Sequence, residues 1–157
     1  MHTSQTGYLY HRVPADLQGH VLYPLNQLKH VYPSRYIAKV AQYQGRKAVM
    51  QAWVPILNCL WNDVLHFSPV HPSKIQKALT GAGFAHKDRC YFEVAPFDNV
   101  FNATNAVIFH HQRVKLNDFR LEEADFQRFD VNVLKTLGEV PEATKVYYKQ
   151  MFEQGRR

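Results

Sequence analysis

The chain has 157 residues, of which 46% are hydrophobic, 20% charged and 13% aromatic. This composition is typical of a packed globular domain and excludes a collagen-like repeat, a coiled coil and a disordered chain. We expect one domain over residues 1–157, with residues 1–7 as a flexible N-terminus. Two cysteines are too few for a disulfide scaffold, and the longest apolar stretch is too short to span a membrane, so we expect a cytoplasmic protein.

The net charge of +6 arises from 19 Lys and Arg against 13 Asp and Glu. Most of this positive charge lies in residues 1–50, which contain six basic residues and a single acidic one, Asp16. An excess of positive charge attracts anionic molecules, such as a dinucleotide, a nucleic acid or an acidic protein. We therefore expect an anionic partner, with DNA and RNA among the candidates. The alternative is a basic surface that only keeps the protein in solution.

Residues 8–13 combine β-branched and aromatic side chains and end at Pro14, which predicts a first strand. Alternation along a strand places His11 on the same face as Leu9 and Val13. On that face His11 is either a satisfied core residue or a group aimed into a cleft.

Apolar residues recur at helical spacing after Pro33, which predicts a helix from Pro33 to about Gly45. Its basic residues Arg35 and Lys39 lie four apart on a separate stripe, which we expect to face solvent. A second short helix is predicted over residues 46–53, because Pro55 would end it.

Residues 63–70 predict a further strand, in which His66 and Ser68 share one face. Ser73 is the expected N-cap of a helix over residues 75–79, which Gly81 and Gly83 would end. The remaining predicted elements are strands over residues 90–94 and 106–109 and helices from residue 116 onward. Strands mixed with helices in this way indicate an α+β domain.

Known chemical motifs are mostly missing from the chain. The sequence has no phosphate loop, no Gly-x-Gly-x-x-Gly fingerprint and no Gly-x-Ser-x-Gly elbow, which excludes those classes of enzyme. Nine histidines suggest a metal, but His66 and His71 lack the spacing of a helical zinc motif. Neighbouring His110 and His111 would point to opposite faces of a strand. We expect no metal site.

Several stretches, in this order, are similar to ADP-ribosyltransferase-like domains. Residues 9–12, Leu-Tyr-His-Arg, resemble the first strand, whose histidine holds the NAD ribose. Residues 44–49 followed by 60–72 resemble DNA-modifying ADP-ribosyltransferase toxins, in which an arginine precedes an aromatic-Phe-[Ala/Ser]-Pro strand and turn. Residues 66–68 also resemble the His-Leu-Ser strand of RNA 2'-phosphotransferases, and residues 91–96 resemble the Tyr-x-Glu-Val-x-Pro strand of NAD-binding members.

The resemblance implies an ADP-ribosyltransferase-like split antiparallel sheet with flanking helices and an NAD-dependent transferase that modifies nucleic acid. It implies that His11 holds the NAD ribose, with Tyr10 and Arg12 on the same NAD-binding strand. Ser68 would supply a hydroxyl from the second strand, and Arg46 would meet a phosphate or polarise the reacting centre. This account requires the first strand and the strand ending in Pro69 to lie side by side and to turn their polar side chains toward a shared hollow.

The resemblance also predicts where the family's catalytic glutamate should stand, at the start of a late strand. The matching stretch, residues 102–109, contains no acidic residue, and Asn105 takes that position. Breaking the nicotinamide–ribose bond passes through an oxocarbenium-like centre, which a carboxylate stabilises. The amide of Asn105 lacks that charge but can hydrogen-bond a ribose hydroxyl, so we include it among the NAD-binding candidates.

Two other functions fit the same residues. A small nuclease or phosphodiesterase could use His11 and His66 as acid and base at a phosphate held by Arg12 or Arg46. The candidate catalytic residues across these hypotheses are therefore His11, Arg46 and His66. The third hypothesis is a non-catalytic basic domain that binds nucleic acid or an acidic partner.

Overall fold

Short strands and short helices alternate along the chain. The computed structural model describes residues 7–17, 19–43, 47–96, 100–110 and 121–155. The strands are β1 (Leu9–Arg12), β2 (Trp53–Val54), β3 (Cys59–Leu60), β4 (Tyr91–Val94), β5 (Val107–Phe109) and β6 (Phe126–Arg128). The helices are α1 (Leu25–Val31), α2 (Pro33–Val40), α3 (Lys47–Met50), α4 (Pro72–Ala82), α5 (Val131–Leu134) and α6 (Glu142–Glu153). The protein is a small single domain that mixes helices with short antiparallel strand pairs, as the α+β prediction states.

The first strand lies at the centre of the sheet structure that positions the site. β1 pairs antiparallel with β4, with Leu9 opposite Val94 and Arg12 opposite Tyr91. On its other side β1 meets Ser68: the Tyr10 amide donates to the Ser68 carbonyl at 2.8 Å, and the Ser68 amide donates to the Tyr10 carbonyl at 2.9 Å. The predicted adjacency of the first strand and the segment that ends in Pro69 is confirmed at Tyr10 and Ser68, but Ser68 is not among the described residues that line the cleft beside β1.

Two further hairpin-like pairs complete the strands, β2 with β3 and β5 with β6, both antiparallel. The core draws on all three pairs and on the helices between them. Its buried hydrophobic residues are Leu9, Tyr10, Leu28, Val49, Val54, Val70, Ile108, Phe126 and Leu134. Gly7 is also buried, whereas residues 1–6 of the expected flexible N-terminus lie outside the described residues.

The predicted strand over residues 63–70 is wrong as a continuous element. Residues 61–63 form a 3₁₀ turn, which the Asp63 carboxylate closes by accepting the Leu60 amide at 2.8 Å. Only Ser68 in the predicted range pairs with another strand. Pro69 follows it without an N–H to donate, so the ladder ends there.

The predicted helix over residues 46–53 is too long. α3 ends at Met50, and Trp53 and Val54 belong to β2 instead. The turn between β2 and β3 holds Ile56 at φ 72° and Asn58 at φ 53°. Two left-handed residues reverse the chain tightly enough for β3 to pair with β2, and that pairing replaces the expected helix end.

Helix α4 is longer than predicted and is capped differently. Its N-cap is His71, not Ser73, and the His71 Nδ1 accepts the Ser73 amide at 3.1 Å. Pro72 occupies the first turn, where its missing N–H costs nothing. The helix continues through Gly81 and ends at Gly83, which adopts φ 117°.

Late in the chain, the strands over residues 90–94 and 106–109 are confirmed as β4 and β5. The predicted helical region from residue 116 is interrupted by β6, and residues 111–120 lie outside the described part of the chain. Phe126 in β6 is buried and pairs with Phe109, so cross-strand packing outweighs the local helical pattern. The predicted terminal helix is confirmed as α6.

Replacing Gly83 with alanine should destabilise the fold by about 1–2 kcal/mol, because a side chain is strained at positive φ. The added Cβ would also lie 2.7 Å from Cε2 of Phe152, so α6 would have to shift that ring. Gly81 is the matched control, since it is helical and has open space around it. Gly81→Ala should stabilise by about 0.5–1 kcal/mol. Urea denaturation of both variants measures the contrast, and equal effects would contradict the account.

Candidate functional site

A cleft of about 280 Å³ opens beside the first strand, between it and the helix pair α1–α2. Its apolar wall comes from Leu17, Leu22, Leu25 and Leu28. His11 from β1 and Arg35 and Lys39 from α2 supply the polar side of the same cleft. An imidazole and two cations therefore meet an aliphatic wall in one concave site.

Arg35 and Lys39 are not turned to open solvent, contrary to the sequence prediction. The Arg35 side chain is only 13% exposed, and its Nε lies 3.1 Å from the Asp16 carboxylate. The guanidinium also lies 5.3 Å from the centre of the Tyr32 ring. Ile37 of the same helix is instead 69% exposed. The loop that carries Asp16 therefore holds Arg35 in the cleft wall.

The charges around Arg35 decide which cation is available to a ligand. Burial alone would raise the pKa of Asp16, but the hydrogen bond and charge of Arg35 outweigh it, and the pKa is lowered. Asp16 is thus ionised at neutral pH and neutralises Arg35. Lys39 lies half-buried in the same wall, and its charge also helps to lower the pKa of Asp16, but no salt bridge or hydrogen bond joins it to a residue within the described ranges. Its ammonium is the cation that can pair with an incoming anion.

His11 lies half-buried at the edge of the cleft. Its Nδ1 is 2.7 Å from the Arg12 carbonyl oxygen, which can only accept, so Nδ1 carries the proton in the neutral ring. The Nε2 atom is then left as a hydrogen-bond acceptor. The ring packs edge-on against Phe67, with centroids 5.4 Å apart. The backbone and Phe67 therefore fix both the tautomer and the position of the ring.

His66 belongs to the segment beside β1. Its Nε2 donates to the Trp61 carbonyl at 2.8 Å, and its ring lies against the Trp61 ring with centroids 4.4 Å apart. The residue keeps an exposed surface, yet desolvation by the surrounding protein lowers the pKa of His66 below the ordinary histidine value. The Trp61 hydrogen bond opposes this shift, while the nearby charge of His11 adds to it. His66 is therefore neutral at pH 7, with Nδ1 as its free acceptor.

The lowered pKa of His66 predicts an acid-sensitive contribution to stability. Below the ordinary value of 6.5 the unfolded chain takes up the proton first, so folding stability falls until the pH passes the lower folded-state pKa. His66→Gln keeps an N–H for the Trp61 carbonyl but does not titrate. Between pH 8 and pH 5 the free energy of unfolding should fall more steeply in the wild type than in His66→Gln. Parallel urea-denaturation profiles would contradict this.

Tyr10 and Arg12 lie on the face of β1 opposite His11, as alternation along a strand requires. The Tyr10 hydroxyl donates to Glu93 at 2.9 Å, and the ring packs edge-on against His71. Burial, followed by the hydrogen bond and charge of Glu93, raises the pKa of Tyr10 to about 12. Arg12 is exposed. Neither residue is among the described residues that line the cleft.

The remaining predicted site residues are held in local turns. The Ser68 hydroxyl accepts the Val70 amide at 3.1 Å. The Asn105 amide nitrogen donates to the Val100 carbonyl at 2.8 Å, and its oxygen accepts the Asn102 amide at 2.8 Å. Both side chains therefore stabilise the backbone next to them.

The structure thus brings His11 and His66 close enough to interact electrostatically, and among the predicted residues that it describes only His11 lines the cleft. Arg46 lies outside the described residues. Sequence reasoning missed Arg35 and Lys39 as cleft residues. The available signal was the surplus of basic residues in the first third of the chain, combined with their four-residue spacing on one helix.

Other features of the chain do not narrow the function. Across the described ranges, no helix is long and apolar enough to cross a membrane. Those residues also hold no group of three or more His, Cys, Asp or Glu side chains placed to bind a metal ion. Comparison with protein-family models, with curated proteins and with solved structures finds no match to this chain.

Proposed function

We propose that this protein binds NAD in the cleft beside β1 and is an ADP-ribosyltransferase-like protein that acts on nucleic acid. The observation that carries the proposal is the presence of His11, Arg35 and Lys39 in one cleft with an aliphatic wall. NAD presents the matching groups: flat rings, ribose hydroxyls and two negatively charged phosphates. Pockets for such ligands are mostly apolar, with a few well-placed polar groups.

The size of the cleft indicates how NAD would lie. A volume of about 280 Å³ is at the lower end of small-molecule pockets, which span about 300–1,000 Å³. We therefore propose that the cleft encloses one nucleotide half and leaves the other half outside. The leucine wall would take the ring, the Nε2 of His11 would accept a ribose hydroxyl, and the Lys39 ammonium would pair with a phosphate.

The described residues support binding more directly than transfer. The described residues that line the cleft include no carboxylate to stabilise an oxocarbenium-like centre. The Asn105 amide is occupied by its own turn. The net charge of +6 favours a polyanionic acceptor such as DNA or RNA. On this proposal NAD recognition rests on His11 and Lys39.

One observation favours a second function, hydrolysis of a phosphodiester by His11 and His66. The charge of His11 acts on His66, so the two rings are close to each other. In the neutral form of each ring, a hydrogen bond to a backbone carbonyl fixes the proton on one nitrogen and leaves the other nitrogen as an acceptor. Two histidines with opposite roles at one phosphate are a common acid–base arrangement. This enzyme would hydrolyse bis(p-nitrophenyl) phosphate and would have no requirement for NAD.

Thermal unfolding with added NAD tests the proposal. At a hundred times its dissociation constant, NAD should stabilise the protein by about 2.7 kcal/mol. Lys39→Ala should weaken the affinity about threefold to tenfold, because a cation that faces a phosphate is lost. Lys77→Ala, on the exposed surface of α4, is the matched control and should behave as wild type. Absence of any shift with NAD, together with diester hydrolysis, would replace the proposal by the second function.

A further inference from the structure

A second concave site, which shares no lining residue with the first, lies between α4 and α6. Its volume is about 360 Å³, larger than that of the cleft beside β1. The floor is apolar and consists of Leu79, Phe84, Met151 and Phe152. Phe84 and Phe152 pack edge-on with centroids 5.3 Å apart, and Phe152 remains 47% exposed. A large apolar surface is therefore open to a ligand at this groove.

The rim of the groove is basic on one side. Residues 84–90 connect α4 to β4 without regular secondary structure. Ala85, Lys87 and Arg89 line the groove, whereas His86 and Asp88 contact each other at 3.0 Å instead. Both cations of this segment therefore lie on the groove side, while the acid Asp88 is paired with His86.

The two groove cations have no protein partner in the described part of the chain. No residue there forms a salt bridge or hydrogen bond with Lys87 or Arg89. The one acid close in sequence, Asp88, is directed to His86. Two unpaired cations beside an aromatic and aliphatic floor are complementary to a molecule with an apolar body and one anionic end.

We propose that the groove between α4 and α6 binds a small amphipathic anion, its apolar part on Phe84, Met151 and Phe152 and its carboxylate or phosphate on Lys87 and Arg89. The volume lies within the range of small-molecule pockets. Carboxylate and phosphate headgroups share the chemistry that these cations recognise. The site is separate from the proposed NAD cleft and does not depend on it.

Methyl signals of methionine provide a direct test, because the chain has three methionines and, of the two in the described ranges, Met151 lines the groove and Met50 does not. Protein labelled with ¹³C at the methionine methyl groups is titrated with octanoate, octyl phosphate or octan-1-ol. With either anion the Met151 signal should move saturably, and the Met50 signal should stay in place. The anion that binds more tightly identifies the headgroup, and both must bind more tightly than the alcohol.

Charge-removing variants complete the test. Lys87→Ala together with Arg89→Ala should weaken anion binding about threefold to tenfold and leave octan-1-ol binding unchanged. Lys77→Ala removes a cation from the outer surface of α4 and should have no effect. A Met151 signal that does not move at millimolar anion, equal affinity for the alcohol, or an unchanged affinity in the double variant would each overturn the proposal.

Discussion

Leu28→Ala should destabilise the protein by about 2–5 kcal/mol, as expected when a buried leucine is reduced to a methyl group in a packed site. Leu28 is 5% exposed and is the buried residue of α1. The helix packs against α2 and against the 3₁₀ turn of residues 61–63. Loss of this side chain leaves a cavity between these elements and removes part of the cleft wall.

Urea denaturation of Leu28→Ala against wild type measures the effect. Val31→Ala lies on the same helix at a residue that is 36% exposed, and it should cost less than about 1 kcal/mol. The two variants differ mainly in burial, so a similar loss in both would show that α1 is not held by Leu28. Because a helix as short as α1 has little stability of its own and depends on packing, the difference in unfolding free energy between the two variants should be large.

His11→Ala should reduce the affinity for NAD by about tenfold or more, since it removes both a hydrogen-bond acceptor and a planar wall of the cleft. The fold should remain intact. The ring is half-buried and its aromatic contact is with Phe67, so its removal should lower the free energy of unfolding by only about 1 kcal/mol. Calorimetric titration with NAD and thermal unfolding of the same sample separate the two effects.

His30→Ala is the matched control, because His30 is an exposed histidine on α1 that does not line the cleft. It should retain wild-type affinity and stability. If His11→Ala unfolds at a temperature at which His30→Ala is folded, and shows no separate change in binding, His11 is a core residue and the assignment of the cleft fails.

Much of the fold can be predicted where the residues of a short segment determine its secondary structure. β1, β4 and β5 follow from β-branched and aromatic residues between turn residues, and α4 ends at a glycine with positive φ. α1 was missed because Pro24 precedes it without a capping side chain. Its helical state depends on packing through Leu28, which one segment of sequence does not reveal.

The hairpin of β2 and β3 was missed for a different reason. Its turn contains Ile56 at φ 72°, a conformation that β-branched residues rarely adopt. Nothing in the local pattern therefore indicated a tight reversal there. The strand expected over residues 63–70 failed because alternation alone does not show whether a neighbouring strand continues the ladder.

The candidate site was only partly predictable. Alternation along β1 leaves His11 open between core and cleft, and the structure places it half-buried in the cleft wall. The prediction that Arg35 and Lys39 face solvent is wrong, because periodicity groups side chains on a helix without showing what covers them. Here Asp16 reaches Arg35 from a loop nineteen residues away.

The cleft's identity as a nucleotide site is tested most directly by nuclear Overhauser contacts between bound NAD and leucine methyl groups. With saturating NAD, the ligand's ring protons should give cross-peaks to the methyl groups of Leu22 and Leu28, which line the cleft. Cross-peaks to Leu79 in the other groove instead, or none to any leucine, would contradict the proposed site.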